Sequence, residues 1–455
     1  MKSVGMIFSA LLFALPLRAG GKVGGEFKPA TVLSLSDCLQ AASHRNPIIL
    51  KALQEIEAAG GLRLQALSDA LPHLSGEADY LYLDRIEFFE VEGESLPLGQ
   101  HDNYSLGLTV EQNLYQGGKV LAGIKAASLY NRYADVYFRE ALGEVSFRVK
   151  EFFYLLLLQE KIVAVRGDTV AHMEDYLKIT EDRYREGTAS EFDLITARVR
   201  LANSRPPLIE AENRIDILKT SLLREIGSES EDFAVAGQLE YRPFAAGVED
   251  LNRLALASRP LLRQVKLEEE IQEQNLRAAR SGYQPGFSIF ATYQGDRPRG
   301  GLPPEDRFEF EWLAGARLRW NLFDGLMTPG RVREERARLN QARITTEDTT
   351  RTVLLSVKQS YLDIEAARRA YLSQEETVGQ AEAAYRIARV RWENGIGTSL
   401  ELTDAELNLS EARMMLDQAL AAYRISLASL EQAVGLPLDE IEGKIVSSSS
   451  VISER

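Results

Sequence analysis

Asn113-Leu114-Tyr115-Gln116-Gly117 returns 208 positions later as Asn321-Leu322-Phe323-Asp324-Gly325. The same offset pairs Val145, Val149, Lys150 and Phe153 with Val353, Val357, Lys358 and Tyr361. It also pairs Arg183-Tyr184 and Gly187 with Arg391-Trp392 and Gly395, and Ser221-Leu222 and Gly227 with Ser429-Leu430 and Gly435. Upstream the offset becomes 213, with Asp37, Pro47, Pro72 and Tyr80 answered by Asp250, Pro260, Pro285 and Tyr293. The change falls between Tyr80 and Asn113, so the two copies differ in a loop there. A fixed long period marks a supersecondary unit written twice.

Each unit reads as helix, strand, loop, strand, long helix, turn, helix. Ser36 is expected to cap a helix running toward Ala70, and Asp250 to start its counterpart toward Ser281. Pro72 and Pro285 stop these helices, and the period then changes to alternation. In Phe308–Leu322, the residues Phe308, Phe310, Trp312, Ala314, Ala316, Leu318, Trp320 and Leu322 share one face, with Arg and Glu on the other. Leu313 is the apolar exception. Tyr104–Val110 alternates likewise, Phe287–Gln294 is a third strand, and Leu74–Asp84 a weaker fourth.

From Lys119 to Glu186 and from Gly330 to Asn394 no proline interrupts the helical pattern, and Pro329 sits where a first-turn proline is tolerated. Each stretch would span roughly 100 Å. Val145, Val149, Phe152 and Leu156, with Val353, Val357, Tyr361 and Ile364, have the mixed three-and-four spacing of a packed seam. Gly187 and Gly395 mark reversals into returning helices that end at Gly227 and Gly435. Pro206-Pro207 should kink or break the first returning helix, where the second copy has Met414-Met415. Residues 447–455 read as disordered.

A sheet with Arg and Glu on one face and aromatics at both ends of the other suits either a soluble sheet with one buried face or a lipid-facing barrel wall. Four strands cannot close a barrel, and an open edge in lipid leaves backbone groups unsatisfied. Three copies would supply twelve strands. Composition narrows the field: Lys and Arg total 53 against 67 acidic residues, a net charge of −14 that excludes the basic footprint of a nucleic-acid binder. Lys2 followed by the apolar run Val4–Leu17 reads as a secretory signal. Cys38 is the one cysteine, so no intramolecular disulfide forms. His44, His73, His101 and His172 lie far apart with no metal-ligand spacing, and Gly117-Gly118-Lys119 lacks the rest of a phosphate loop. No catalytic cluster, cofactor site or metal site is legible, which argues against an enzyme.

Leu33-Ser34-Leu35 with Asn46-Pro47, the Asn-Leu-Tyr-Gln-Gly-Gly junction at 113–118, and Arg183-Tyr184-x-x-Gly187-x-x-Ser190 together resemble the TolC-like outer membrane efflux family over roughly residues 31–437. The resemblance implies a mostly α fold with a transmembrane β-barrel portion: a homotrimer whose 12-stranded barrel, four strands per chain, stands on a long α-helical coiled-coil barrel. The signal, the repeat offsets and their ends divide the chain into a signal peptide (1–19), an N-terminal extension (20–35), repeat 1 (36–227), an equatorial connection (228–247), repeat 2 (248–437) and a flexible tail (438–455). The resemblance further places the chain in an assembly. It implies an export duct in the outer membrane with a long periplasmic extension, embedded in lipid. The duct would be served by a periplasmic adaptor (membrane fusion protein) and an inner-membrane transporter of RND or ABC type, for small molecules or polypeptides. The alternative is a periplasmic coiled-coil structural protein without a pore. By resemblance, Glu401, Asp404, Asp193 and Trp392 fall at the aperture. Trp392 and Gly397 depart from the family's hydrogen-bonded latch, lacking a tyrosine hydroxyl and a linking arginine. Arg183, Tyr184, Gly187, Ser190, Arg391, Gly395 and Thr398 fall at the adaptor-docking tip.

Overall fold

The computed structural model describes residues 32–91, 94–228, 233–298 and 304–453. The first repeat contains β1 (Val32–Leu33), α1 (Leu35–Arg45), α2 (Pro47–Ser68), β2 (His73–Tyr82), β3 (Phe88–Val91), β4 (Glu94–Pro97), β5 (Asp102–Gln116), α3 (Lys119–Arg185) and α4 (Glu191–Ile226). After β6 (Ala234–Val235), the second contains α5 (Val248–Ser258), α6 (Pro260–Arg280), β7 (Gly286–Arg297), β8 (Glu309–Arg319), α7 (Met327–Glu393) and α8 (Ser399–Val434), followed by α9 (Leu438–Ser453). Both long helices have 67 residues and both returning helices have 36. The β3–β4 hairpin lies in the loop where the copies differ in length. The expected signal peptide lies outside the described residues.

Four strands form one antiparallel sheet in the order β2-β5-β7-β8. Its register sorts the side chains: Leu108 faces Tyr293 and Gly76, and Tyr293 faces Trp312, on the apolar side. On the opposite face Thr109 donates to or accepts from Thr292 at 3.0 Å, and Gln294 donates to Glu311 at 2.9 Å. Every residue of β2 and β8, the two edge strands, is exposed in the single chain, and Trp312 is 76% exposed. No helix among the described residues is long and apolar enough to cross a membrane, which says nothing against a barrel.

The expected single helix over 36–70 is two, α1 and α2, and its repeat mate is likewise α5 and α6. The proline following each joint is the cause, because it disfavours helical backbone at the preceding residue. Asn46 and Arg259 accordingly adopt ψ 129° and 117°. The cap of α1 is Ser34, not Ser36; its hydroxyl and Asp37 form a reciprocal capping box.

These joints hold the molecule together. Asn46 is buried: its Oδ1 accepts from the Ile48 amide at the start of α2, and its Nδ2 donates to the Glu225 carbonyl at the end of α4. The end of α4 therefore abuts the start of α2. A Cβ on Gly227, which has φ +64°, would lie 2.7 Å from the Arg45 carbonyl oxygen. The second repeat does the same, since a Cβ on Gly435 would lie 2.8 Å from Cδ of Pro260. Around α3, α2 and α6 pack on the sheet side, and α4 and α8 pack on the turn side. Stacked end to end, the short and long helices keep four helices abreast along most of the length.

Two apolar cores meet at this level. One includes Leu33, Val145, Val149, Phe153, Leu156, Leu222 and Ile226; the other includes Leu251, Val353, Val357, Ile364, Tyr423 and Leu430. Phe153 rather than Phe152 fills the seam, as the repeat mate of Tyr361. Part of the supposed N-terminal extension belongs here too, because β1 pairs in parallel with β6 and Leu33 is buried. The connection carries Phe244 and Leu239 inward, and the Tyr423 hydroxyl donates to the Arg242 carbonyl while accepting from the Phe244 amide. Where a flexible tail is expected, α9 forms and Ile441 is fully buried.

Pro206-Pro207 does not break α4, which is helical throughout. The carbonyls deprived of partners four residues back belong to Ala202 and Asn203, both exposed to water, and α3 packs along the helix.

Candidate functional site

The site residues read from the sequence come together at the end of the molecule farthest from the sheet, where α3 turns into α4 and α7 into α8. The two turns share one hydrogen-bonding scheme. The Arg183 carbonyl accepts from the amides of Thr188 at 2.8 Å and Ala189 at 3.2 Å. The Arg391 carbonyl accepts from Ile396 at 2.9 Å and Gly397 at 3.0 Å. Gly187 and Gly395 supply the left-handed residue of each turn, with φ +76° and +73°. Ser190 caps α4 and Thr398 caps α8, accepting from the amides of Asp193 and Glu401. The shared Arg, Gly and Ser/Thr positions are thus explained first as a helix stop followed by a helix start.

Asp193 completes a capping box. Its Oδ2 accepts from the Ser190 amide at 3.0 Å and the Ser190 hydroxyl at 2.7 Å, and these bonds hold its carboxyl below the usual range. Within the protomer this carboxylate is committed to its own helix. Glu401, on the matching position, lies 3.7 Å from the Arg391 guanidinium across the second hairpin. Asp404 is exposed one turn further along α8. Trp392 is half-buried beneath Arg183, whose guanidinium carbon stands 4.8 Å from the ring centroid. That contact joins the hairpins where a hydroxyl-based latch would be sought, and it rests on charge over an aromatic face. Tyr184 is exposed on the first turn.

Above the tips, salt bridges rule both hairpins alike: Arg205 with Glu174 at 3.1 Å, and its repeat mate Arg413 with Glu382 at 2.9 Å. Between the hairpins, α3 meets α8 through Lys161 and Asp417 at 2.6 Å, and through His172 and Glu406. Neither inter-hairpin pair was singled out in the sequence. The intra-hairpin pair was within reach, because Arg follows Glu by 31 positions in both copies.

The family described as "Outer membrane efflux protein" matches residues 38–228 and 251–436. The chain belongs to that family. The two matched spans coincide with the two repeats. Among curated proteins, the outer membrane efflux chain is 22% identical to outer membrane protein TolC of Vibrio cholerae over 429 residues, 92% of this chain and 95% of the relative. It is 20% identical to outer membrane protein TolC of Escherichia coli over 423 residues, 89% of this chain and 83% of the relative. Among solved structures, the Campylobacter jejuni CmeC outer membrane channel superposes with a TM-score of 0.78 at 15% identity, covering 91% of each chain. At that identity the superposition establishes the fold: a few long strands carried on a long helical bundle.

Proposed function

We propose that three copies of this outer membrane efflux chain close into one export duct, which passes small molecules or polypeptides across the outer membrane. The observation that carries this reading is the sheet. Its apolar face and both edge strands are exposed in the single chain, as lipid-facing strands awaiting neighbours must be. Closing β8 of one copy on β2 of the next would give a twelve-stranded barrel, each chain supplying four strands. The pore-free alternative leaves that apolar surface in water with no cover, which soluble proteins rarely tolerate.

The helical hairpins extend the duct into the periplasm, and their turns offer the docking surface for a periplasmic adaptor and, through it, an inner-membrane transporter of RND or ABC type. Glu401 and Asp404 from three copies would ring the aperture with six carboxylates, attracting cations. The Arg391 guanidinium near Glu401 tempers that field from within each hairpin.

Detergent-extracted protein should give three subunits by native mass spectrometry and conduct in planar bilayers. A stable monomer that leaves the membrane without detergent would overturn the architecture. Cysteines at Gly187 and Gly395 should crosslink to a co-expressed adaptor, and cysteines at Leu108 and Trp312 should not. Glu401→Gln with Asp404→Asn should weaken cation selectivity and divalent block; unchanged recordings would leave these acids as a solvated helix face.

A further inference from the structure

On the polar face of the sheet the charges are sorted along the strands. Near the loops one row across the sheet reads Asp79, Ser105, Asp296 and Glu309, and Glu77 and Glu311 lie on the same face one step inward. At the opposite end, where the strands join the helices, the same face of β8 carries Arg317 and Arg319. The lipid-type face bears Leu318 and Trp320 at that level, both exposed, so the two arginines point away from it. The repeat isolates them further. Their mates in β5 are Thr109 and Glu111, and the positive charge was therefore placed in one copy alone.

Both arginines line a cavity of about 300 Å³ at the foot of the sheet. It exists because the residues opposite them in β7 are small, Ser288 across from Arg317 and Gly286 across from Arg319. Beside it β5 is irregular between Asn113 and Tyr115, a bulge of the kind that re-aims side chains at barrel rims. The amides of Asn113, Gln116, Gln284 and Asn321 complete a lining rich in donors. Gln284 accepts from the Tyr115 hydroxyl through Oε1, which leaves its Nε2 available to donate.

The carboxylate that lines this cavity is Glu111, 3.9 Å from the Arg317 guanidinium, too far for a tight bidentate pair. Arg319 has no carboxylate partner among the described residues. Arg317 is also steadied from the wall. Its guanidinium carbon stands 4.9 Å from the Phe290 ring centroid, and that ring lies over Gly315, where a Cβ would come within 3.0 Å of it. A planar fork held against an aromatic face loses little freedom when it grips an oxyanion.

We propose that Arg317 and Arg319 form an oxyanion-binding pocket on the lumen wall at the foot of the barrel, one per chain, which takes the phosphate, sulfonate or carboxylate group of passing cargo. It rests on the reading of the chain as one third of an export duct, and adds to it a chemical class of cargo. Repeated in three copies, the pockets make a basic collar where the helical tube hands cargo to the barrel. Past the collar, the acidic rows toward the loops repel the same group, which favours its release outward over retention in the wall. The collar is opposite in sign to the acids at the hairpin tips, so the tips alone do not set what the duct accepts.

The test is isothermal titration of the full-length trimer in detergent with inorganic pyrophosphate, a small oxyanion that can enter the lumen. The parent should bind a single pyrophosphate per chain, more weakly as salt is added. Arg317→Gln with Arg319→Gln should weaken binding at least tenfold, to about the loss of one charge-assisted hydrogen bond or more. Arg319→Lys should weaken it by about threefold, because an ammonium keeps the charge and loses the fork. Glu111→Gln should strengthen it by about threefold, by removing the competing carboxylate from Arg317. A purely structural arginine pair would give no such gain. Native mass spectrometry should show trimers throughout, and Arg319→Gln alone replaces the double variant if that one does not assemble. No pyrophosphate binding by the parent, or equal binding by the parent and the arginine variants, would overturn the collar. In planar bilayers under a potassium chloride gradient, loss of the arginines should also shift the reversal potential toward greater cation selectivity. A parent trimer that binds pyrophosphate through these arginines and conducts no current would instead overturn the duct and leave the pocket standing.

Discussion

The equator and the sheet were written by the same duplicated unit, yet one is finished within a single chain and the other is not. At the equator, helix ends meet helix starts, Leu222, Leu430 and Tyr423 are fully buried, and Asn46 satisfies two helix termini with one amide. In the sheet the same chain leaves Trp312, Leu318 and Tyr80 exposed and two edges without a strand neighbour. The lesson is that burial in one protomer separates what stabilises the chain from what assembles it. An apolar residue at the equator is a folding residue. An apolar residue on the sheet is an assembly or lipid residue.

That contrast can be broken most directly in the core. Leu222→Ala should cost about 3 kcal/mol, as a fully buried leucine leaving a cavity does. Thermal melts of the purified protein in detergent would measure it, and a loss below about 1 kcal/mol would mean that the equator is not self-contained. The sheet is challenged next. Trp312→Arg should cost about 2–4 kcal/mol in a bilayer if its face meets lipid. Glu311→Gln, one residue away on the polar face, should be nearly neutral. Equal effects at both positions would erase the distinction between the faces.

At the tips the expected effects are smaller and local. Asp193→Ala removes a capping box at the start of α4 and should cost about 1 kcal/mol. Hydrogen exchange should quicken in the first turn of α4 and leave the equator unchanged. Because the Ser190 bonds depress the Asp193 carboxyl, its contribution should persist through neutral and mildly acidic pH. It should fade only as the pH falls below the ordinary carboxylate range. Faster exchange at pH 6 than at pH 8, after correction for the intrinsic rate, would contradict that assignment.

The smallest expected effect sits at the strand-to-helix junction, where the two copies part company. Repeat 1 places Gly117 and Gly118 in left-handed backbone, and repeat 2 places Gly325 and Leu326 there, with Leu326 at φ +71°. Leucine in that region is strained, so Leu326→Gly should stabilise the protein by about 0.5–1 kcal/mol. A destabilisation would mean that the exposed Leu326 side chain is covered in the assembly.

The repeat, the switch from helical to alternating period at the prolines, and the long proline-free helices were all legible because they are local patterns. So were the positions of the turns, since a glycine followed three residues later by Ser or Thr describes both reversals. The joints at Asn46 and Arg259 were also written in the sequence, as the residues before Pro47 and Pro260, but helical periodicity on both sides concealed them. Pro206-Pro207 works in the opposite sense: of the expected kink or break, the break does not occur, because water-exposed carbonyls and the neighbouring α3 let the helix continue. Asp193 illustrates the limit at the site. Its position matched an aperture residue, and its side chain turned to its own cap.

What the sequence determined alone is the plan: two copies, their elements and order, and the alternating faces of the strands, all fixed by spacing along the chain. Tertiary structure alone decided which charges meet. Glu406 and Arg389 are the repeat mates of Arg198 and Glu181, which pair within the first hairpin, yet Glu406 bonds His172, 234 positions away in the other hairpin. The reason is physical. Periodicity fixes which face of a helix a residue occupies, but packing between hairpins fixes what lies opposite that face.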